Sequence, residues 1–222
     1  MDQPGRVLVI ACGALAREIT ALKRANGWDV LEVTCLPPEL HMRPERIPAS
    51  VQAAIREGRG RYASIFVAYA DCGTGGALDV VLRGEGVERL PGAHCYEFFA
   101  TSASFAALAE AELGTFYLTD FLTRHFERLV WTGLGLDRHP ELEPQYFGHY
   151  RKVVYLAQVD DEALTRQAAA IAARLGLAFE RRLTGYGELG HSLAGIVRRA
   201  GAAAGAAPAA DSPRKGPSAW RN

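Results

Sequence analysis

The sequence has no excess of charge of either sign. Its 222 residues include 25 lysines and arginines and 25 aspartates and glutamates, so the formal net charge is zero. A protein that holds the phosphate backbone of a nucleic acid needs a surplus of basic residues on its binding face. The composition therefore predicts that nucleic acids are not partners of this chain.

Long apolar runs are missing as well. A helix that spans a bilayer needs about 20 mostly apolar residues in succession, and no stretch of the sequence approaches that length. The apolar run near the start is short and lacks the small-residue cleavage site of a secretory signal peptide. We therefore expect a cytoplasmic protein that has no membrane partner.

Cysteine is scarce, with four residues at positions 12, 35, 72 and 95. In a secreted chain these residues would be candidates for disulfides. In the reducing cytoplasm thiols are usually free, and metal binding or catalysis becomes the better explanation for them. We therefore expect reduced cysteines with a chemical role.

Apolar residues make up 49% of the chain and charged residues 23%, which is the balance of a globular protein with a core. Short apolar runs alternate with segments of helical periodicity, which favours an α/β fold. We predict a mostly parallel, Rossmann-like sheet with helices on both faces. The predicted strands are 7–11, 30–36, 64–69, 114–119, 152–157 and 177–183, and the predicted helices are 15–25, 49–57, 77–82, 102–112, 120–132 and 161–175.

This alternation predicts a single α/β domain over residues 1–200, which divides naturally into lobes 1–112 and 113–200. The segment 40–48 contains two prolines, which remove backbone donors, so we expect an irregular loop there. Alanine, glycine, proline and serine dominate residues 201–222. Such a composition buries too little apolar surface to fold, so the sequence predicts a disordered tail.

Three of the cysteines follow predicted strands or turns at one edge of the sheet. Cys12 ends the first strand, Cys72 follows the third, and Cys95 follows a Pro-Gly turn. Ligands of open parallel sheets bind beyond the carboxyl ends of the strands. The pattern favours zinc, with His41 or His94 as a fourth ligand, or an iron–sulfur cluster with one free iron. The alternative is that these are small apolar residues packed against the sheet.

The segment Asp71-Cys-Gly-Thr-Gly-Gly76 is the most informative local stretch. Its glycines allow backbone N–H groups to converge, and a predicted helix follows, so the loop is suited to an anion. We expect Gly73, Thr74, Gly75 and Gly76 to bind substrate, with Thr74 as the helix N-cap. The same setting predicts a lowered pKa for the Cys72 thiol. The loop is neither a Walker loop nor a dinucleotide fingerprint, and a tight turn after the strand is the alternative.

The remaining candidates are polar side chains close to these loops. Asp71, His94 and Glu97 are predicted catalytic groups, with Glu97 a general base or only a charge at a helix N-terminus. His41, Arg43 and Tyr186 are predicted to contact substrate. A loop histidine is more often a surface residue, and the glycines around Tyr186 also fit a plain turn.

Five segments together resemble one bacterial and archaeal family, catalogued as the domain of unknown function numbered 1638. They are Val-Ile-Ala-Cys12-Gly, Leu-His41-Met-Arg-Pro-Glu45, Tyr-Ala-Asp71-Cys72-Gly-Thr-Gly-Gly76, His94-Cys95-Tyr-Glu-Phe98 and Thr184-Gly-Tyr186. The similarity extends over residues 6–190. Members of the family often occur beside genes for corrinoid-dependent methyl transfer. The resemblance thus implies a role in one-carbon or methylamine metabolism, with corrinoid methyltransferase components as partners, and it supplies no catalytic residue.

Three functions are compatible with these features. The first is a metal-site protein, with zinc or an iron–sulfur cluster on the three cysteines, acting on a small molecule as a transferase or lyase. The second is a metal-free thiol enzyme with Cys72 as nucleophile and His94 or His41 as its base. The third is a non-catalytic binding or assembly module of a methyltransferase system.

Overall fold

A parallel four-stranded sheet forms around the first strand in the computed structural model, which describes residues 3–205 and the side chains of residues 5–202. Its strands are β1 (Gln3–Cys12), β2 (Leu31–Leu36), β3 (Tyr62–Ala68) and β4 (Glu88–Arg89), in the spatial order β2-β1-β3-β4. Residues 7–11 of β1 pair with both neighbours and are almost completely buried. A continuous apolar run is the pattern of a strand that is covered on both faces.

Four helices cover this first sheet. The helices α1 (Ala16–Asn26) and α9 (Leu189–Gly205) pack together, and α9 also contacts β1 and β3. On the other face α2 (Ile47–Gly58) contacts the same two strands and packs on α3 (Ala77–Glu85). The segment between β2 and α2 forms two short 3-10 turns, Pro38–Met42 and Pro44–Arg46, where we predicted an irregular loop.

The second sheet has three parallel strands in the order β5-β6-β7. They are β5 (Thr115–Thr119), β6 (Lys152–Ala157) and β7 (Ala178–Leu183). One face carries α6 (Asp120–Phe126) and α8 (Glu162–Arg174). Burial of Val153 and Tyr155 with residues of α8 forms the core on that side.

The helices α4 (Cys95–Ala100) and α5 (Ser102–Ala111) connect the two sheets. Phe98 and Phe99 of α4 belong to the core of the first sheet. Ala100 and Leu108, in contrast, pack against Val154 and Leu156 on the second face of the second sheet. The second sheet is therefore also covered on both faces. The short helix α7 (Glu143–Phe147) lies in the connection between α6 and β6.

These elements confirm the predicted α/β fold with parallel sheets and helices on both faces. The predicted strands and helices agree with the observed ones to within a few residues, except that the helix predicted over 120–132 ends at Phe126 and continues as a π-helical turn, Glu127–Trp131. The elements β4, α4 and α9 were not predicted. No helix within residues 3–205 is long and apolar enough to cross a membrane.

The chain divides differently from the predicted lobes 1–112 and 113–200. We use "first lobe" for residues 3–100 with α9, and "second lobe" for residues 101–188. The reason is that Leu189, Leu193 and Ile196 of α9 are buried in the core of the first sheet. The helix α9 also includes the first residues of the predicted tail, up to Gly205; the rest of that tail lies outside the described residues.

Candidate functional site

Three thiols lie at the carboxyl edge of the first sheet. Cys12 is the last residue of β1, Cys72 follows β3, and Cys95 is the first residue of α4. The loop after β3 is tied to the turn before α4, because the Cys72 N–H donates to the Ala93 carbonyl at 2.8 Å. The residue types and the strand order thus bring together cysteines that are 60 and 23 positions apart in the sequence.

Cys12 and Cys72 are buried, Cys95 is half-buried, and each of the three thiols is near another one. Burial raises the pKa of Cys12 to about 12, and the nearby Cys72 adds to this, against a hydrogen bond from the Ala14 N–H at 3.3 Å. Burial raises the pKa of Cys95 well above its usual range, with further increases from Cys72 and Cys12. All three groups are therefore neutral thiols near pH 7.

The predicted lowering of the Cys72 pKa is wrong. Burial raises the pKa of this thiol to about 11, although backbone N–H groups act in the opposite direction. Cys72 is buried, and it has a positive φ of 52°, which is rare for a side chain larger than glycine. Loss of hydration outweighs the helix N-terminus on which the prediction relied.

The thiols are not at the spacing of metal ligands. Within the described part of the chain, no three side chains of His, Cys, Asp or Glu are close enough together to hold a metal ion. Two zinc-bound thiolates are separated by about 3.8 Å, given zinc–sulfur bonds of about 2.3 Å in a tetrahedron. The donor types fit zinc or an iron–sulfur cluster, and their present separation does not.

His41 lies against this group of thiols. Its Nδ1 atom is 3.8 Å from Cys12 Sγ and 3.1 Å from the carbonyl oxygen of Pro38. A carbonyl only accepts, so Nδ1 carries the hydrogen and Nε2 keeps its lone pair. Desolvation lowers the pKa of His41, and this favours the neutral ring. The ring stacks on Tyr69 with centroids 6.1 Å apart.

Tyr69 was not among the predicted site residues. Its side chain is buried, and its hydroxyl lies beside the Cys12 thiol. Burial, and then the neighbouring Cys12, raise the pKa of the hydroxyl far above its usual range. A tyrosine at the end of an apolar strand is an ordinary core residue by pattern, so only its position beside Cys12 and His41 identifies it.

The glycine-rich loop already contains its own anion. The Asp71 carboxylate accepts hydrogen bonds from the Thr74 hydroxyl at 2.6 Å, from the Gly76 N–H at 2.9 Å and from the Gly75 N–H at 3.1 Å. Burial raises the pKa of Asp71, but these hydrogen bonds outweigh it and hold the pKa below its usual range. The predicted anion cradle is thus filled by Asp71, which stiffens the loop around Gly73.

The predicted N-cap is also displaced. The helix α3 begins at Ala77, so the capping position is Gly76 and not Thr74. The Thr74 hydroxyl still accepts the N–H of Leu78, at 3.4 Å, from two positions before the cap.

The other predicted residues are spread around the edge. Glu97 turns back to accept the N–H of Ala93 at 2.9 Å, which makes it part of its own turn. His94 is the exposed N-cap position of α4, and Arg43 is exposed between the two 3-10 turns. Burial raises the pKa of Tyr186, with Glu18 and Asp120 as its charged neighbours, so Tyr186 lies near these carboxyls.

A cavity of about 140 Å³ opens between the lobes beside the thiols. Its wall on the first lobe includes His41, Met42 and Cys95, and its wall on the second lobe includes Phe121 and Leu122. The second wall is formed by the start of α6, which follows the carboxyl end of β5. The carboxyl edges of both sheets therefore face one cavity, as expected for a ligand site of an α/β protein.

Comparison with known families provides an assignment. The model of DUF1638, described as a protein of unknown function, matches residues 35–193. The chain belongs to the DUF1638 family. The part that matches the DUF1638 model contains His41, Cys72, Cys95 and the start of α6, whereas Cys12 precedes it.

Other comparisons add little to the DUF1638 assignment. A solved ornithine carbamoyltransferase from Pyrococcus furiosus matches with a TM-score of 0.27 and 14% identity, over 80% of this chain and 54% of that one. The chain thus spans about half the length of the transferase, and at this TM-score the likeness carries no argument about function. A comparison with curated proteins gives no significant match.

Proposed function

We propose that this DUF1638 protein binds zinc or an iron–sulfur cluster through Cys12, Cys72 and Cys95, and that it acts on a small molecule in the adjoining cavity. The observation that carries the proposal is that Cys95 connects the group of thiols with the cavity. This residue belongs to the group of three thiols and also lines the cavity between the lobes. A ligand in the cavity would therefore be next to a metal on these cysteines.

The electrostatics of the site support a cation. In the protein alone the thiols stay protonated, because burial disfavours the thiolate and neighbouring thiolates would repel each other. A bound cation reverses this preference, because it stabilises thiolates directly and releases their protons. Two of the thiols are buried and Cys95 is half-buried, and the nearby Arg89 does not outweigh the effect of burial on Cys72. Such thiols gain more from a bound ion than exposed ones would.

Binding requires a change of local geometry. The three cysteines are on separate segments, namely the end of β1, the loop after β3 and the start of α4. To reach the roughly 3.8 Å spacing of zinc ligands, these segments have to shift relative to one another. The metal would contribute Lewis acidity or an open coordination position at the cavity wall.

The thiol-enzyme alternative is weaker. A nucleophilic cysteine is a thiolate in an electropositive, partly exposed setting. Cys72 is instead buried, with a pKa of about 11. The assembly-module alternative, and the link to corrinoid-dependent methyl transfer in one-carbon metabolism, rest on the family resemblance alone.

The test is elemental analysis of protein purified without oxygen, with acid-labile sulfide measured in the same samples. We expect stoichiometric zinc or iron in the wild-type protein, and its loss in Cys12→Ala, Cys72→Ala and Cys95→Ala. Cys35→Ala is the matched control, since Cys35 is an exposed free cysteine on β2. Iron with sulfide would give a brown protein, and zinc a colourless one.

A second readout does not depend on how the variants fold. Adding zinc to metal-free wild-type protein at pH 7 should release about three protons per ion, one for each thiol. Wild-type protein that contains no metal, takes up no zinc and releases no protons would rule the proposal out.

A further inference from the structure

The cavity between the lobes has no charged lining residue among the residues described. Its wall on the second lobe consists of Thr119, Phe121, Leu122, Leu129 and Val130, all of them on or next to α6. A charged ligand in such a setting would lose its hydration without a partner charge. The walls therefore favour a neutral molecule with an apolar body.

The volume limits the size of that molecule. A cavity of roughly 150 Å³ in a protein holds a molecule the size of benzene, and this one measures about 140 Å³. Two lining residues, His41 and Met42, are exposed to solvent, so the cavity opens beside them. The ligand has room for about six or seven non-hydrogen atoms, by comparison with benzene.

His41 supplies the polar contact. Because its Nδ1–H donates to the Pro38 carbonyl at 3.1 Å, the free acceptor of the ring is Nε2. Stacking on Tyr69 fixes the plane of the ring at the cavity wall. Among the described residues, no group of the second lobe forms a hydrogen bond with the His41 ring. The acceptor is thus oriented in advance and without a protein donor.

From these features we infer that the cavity takes a small, neutral, mostly apolar substrate with one O–H or N–H group, whose hydrogen is accepted by His41 Nε2. The inference deepens the proposed function by naming the substrate class, and it rests on that proposal for what happens beside Cys95. Specificity then comes from the absence of charge, the size of the cavity and a single hydrogen bond.

Three probes with seven non-hydrogen atoms each separate these requirements. Phenol has the donor, toluene lacks it, and N-methylpyridinium is permanently charged. We expect calorimetric titration of the full chain to show the tightest binding for phenol. Toluene should bind about two- to twelvefold more weakly, the range of one ordinary hydrogen bond. N-methylpyridinium should not bind measurably.

Variants locate the site. His41→Phe keeps an aromatic ring that can stack on Tyr69 and removes the acceptor, so phenol affinity should fall to that of toluene. Val130→Trp fills the cavity and should abolish binding of both probes. His139→Phe is the matched control, since His139 is exposed and pairs with Glu141 outside the cavity. Circular dichroism would confirm that each variant folds.

The metal content of the same samples keeps the two proposals apart. Metal-loaded wild-type protein that binds phenol no better than toluene, or that prefers N-methylpyridinium, would overturn the substrate class alone. Loss of metal in His41→Phe would overturn the role of His41, because the residue would then be a ligand. A metal-free wild-type protein with His41-dependent phenol binding would instead reject the metal site and keep the cavity.

Discussion

Glu18 is an ionisable side chain in a place that water barely reaches. It lies in the first turns of α1, only 4% exposed, and its Oε2 atom accepts no hydrogen bond from the described part of the chain. Burial raises the pKa of this carboxyl, and the nearby Asp120 raises it further. The residue's own backbone N–H and then Arg124 act in the opposite direction without outweighing burial. A buried acceptor without a donor costs free energy, so the fold is weakened at this residue.

Asp120 is also a buried carboxylate, but both of its oxygens accept hydrogen bonds. Its carboxylate accepts the Tyr155 hydroxyl at 2.7 Å and the backbone N–H groups of Gln158 and Val159 at 3.0 and 3.2 Å. These bonds hold the carboxyl ends of β5 and β6 together. Asp120 is therefore a structural residue of the second sheet.

The contrast gives a prediction for Glu18→Gln. The pKa of Glu18 is raised in the folded state, so its favourable contribution is present at low pH and is lost as the pH rises through the folded pKa. At pH 7 the variant should have a free energy of unfolding about 1 kcal/mol higher than the wild-type protein. Urea denaturation measures the difference.

The gain should disappear when the measurement is repeated near pH 3, well below the ordinary pKa of a glutamate, where the wild-type carboxyl is neutral in both states. Glu110→Gln is the control, because Glu110 is exposed on α5. Equal free energies of unfolding for the Glu18→Gln and wild-type proteins at pH 7 would mean that burying the Glu18 carboxylate costs no stability.

At the scale of elements, α9 decides how the chain is divided. Its residues Leu189 and Leu193 are fully buried in the first core, and Ile196 nearly so. They follow a spacing of three and four, which is the signature of an amphipathic helix. The glycines within the helix and the alanine-rich continuation obscured this pattern.

Leu193→Ala should therefore destabilise the first lobe. Removing a fully buried leucine side chain costs about 2–5 kcal/mol of the free energy of unfolding, even though the residue belongs to the last helix described. Thermal and urea denaturation would show the loss. His191→Ala, at an exposed position on the same helix, should change the stability by less than about 0.5 kcal/mol. Similar values for both variants would mean that α9 does not pack on the sheet.

At the scale of the whole molecule, local patterns predicted the elements and only part of the site. Apolar runs such as residues 7–11 and 152–157 are strands wherever they pack, so their positions follow from the sequence. The edge shared by Cys12, Cys72 and Cys95 follows from the general rule for parallel strands. The wall formed by Phe121 and Leu122 does not, because contact between the lobes leaves no periodic signal in either segment.

The electrostatic surroundings of the site residues were harder to predict from the sequence than their positions in the fold. The glycines of the 71–76 loop suggested an anion site and a reactive Cys72, yet the anion is Asp71 from the same loop. Burial of the Cys72 thiol depends on α4 and on the turn before it. Both effects arise from tertiary contacts, which a single local segment cannot contain.

The two passages of the chain between the lobes run side by side. The N–H of Glu188 donates to the Phe98 carbonyl at 2.7 Å. A Cβ atom at Gly187 would overlap the carbonyl oxygens of Phe98 and Phe99, and the residue has a positive φ of 49°. Glycine is therefore required at this crossing for space as well as for backbone conformation.

Gly187→Ala should accordingly lower the free energy of unfolding by about 4 kcal/mol, an exceptional value for one methyl group. Gly185→Ala is a close match, since Gly185 has a φ of 60° and open space around it. It should cost only about 1–2 kcal/mol, from the left-handed conformation alone. Equal losses in urea denaturation would indicate that the passages are not in contact.

The return of α9 also sets the order in which the molecule can be completed. A ribosome delivers the chain from its N-terminus, so all strands of the first sheet emerge early. Their core still lacks Leu189, Leu193 and Ile196 at that time. By the time these residues emerge, the entire second lobe has already been synthesised. The lobe that begins first is thus the last to be finished, and its open face has to be protected while the other lobe folds.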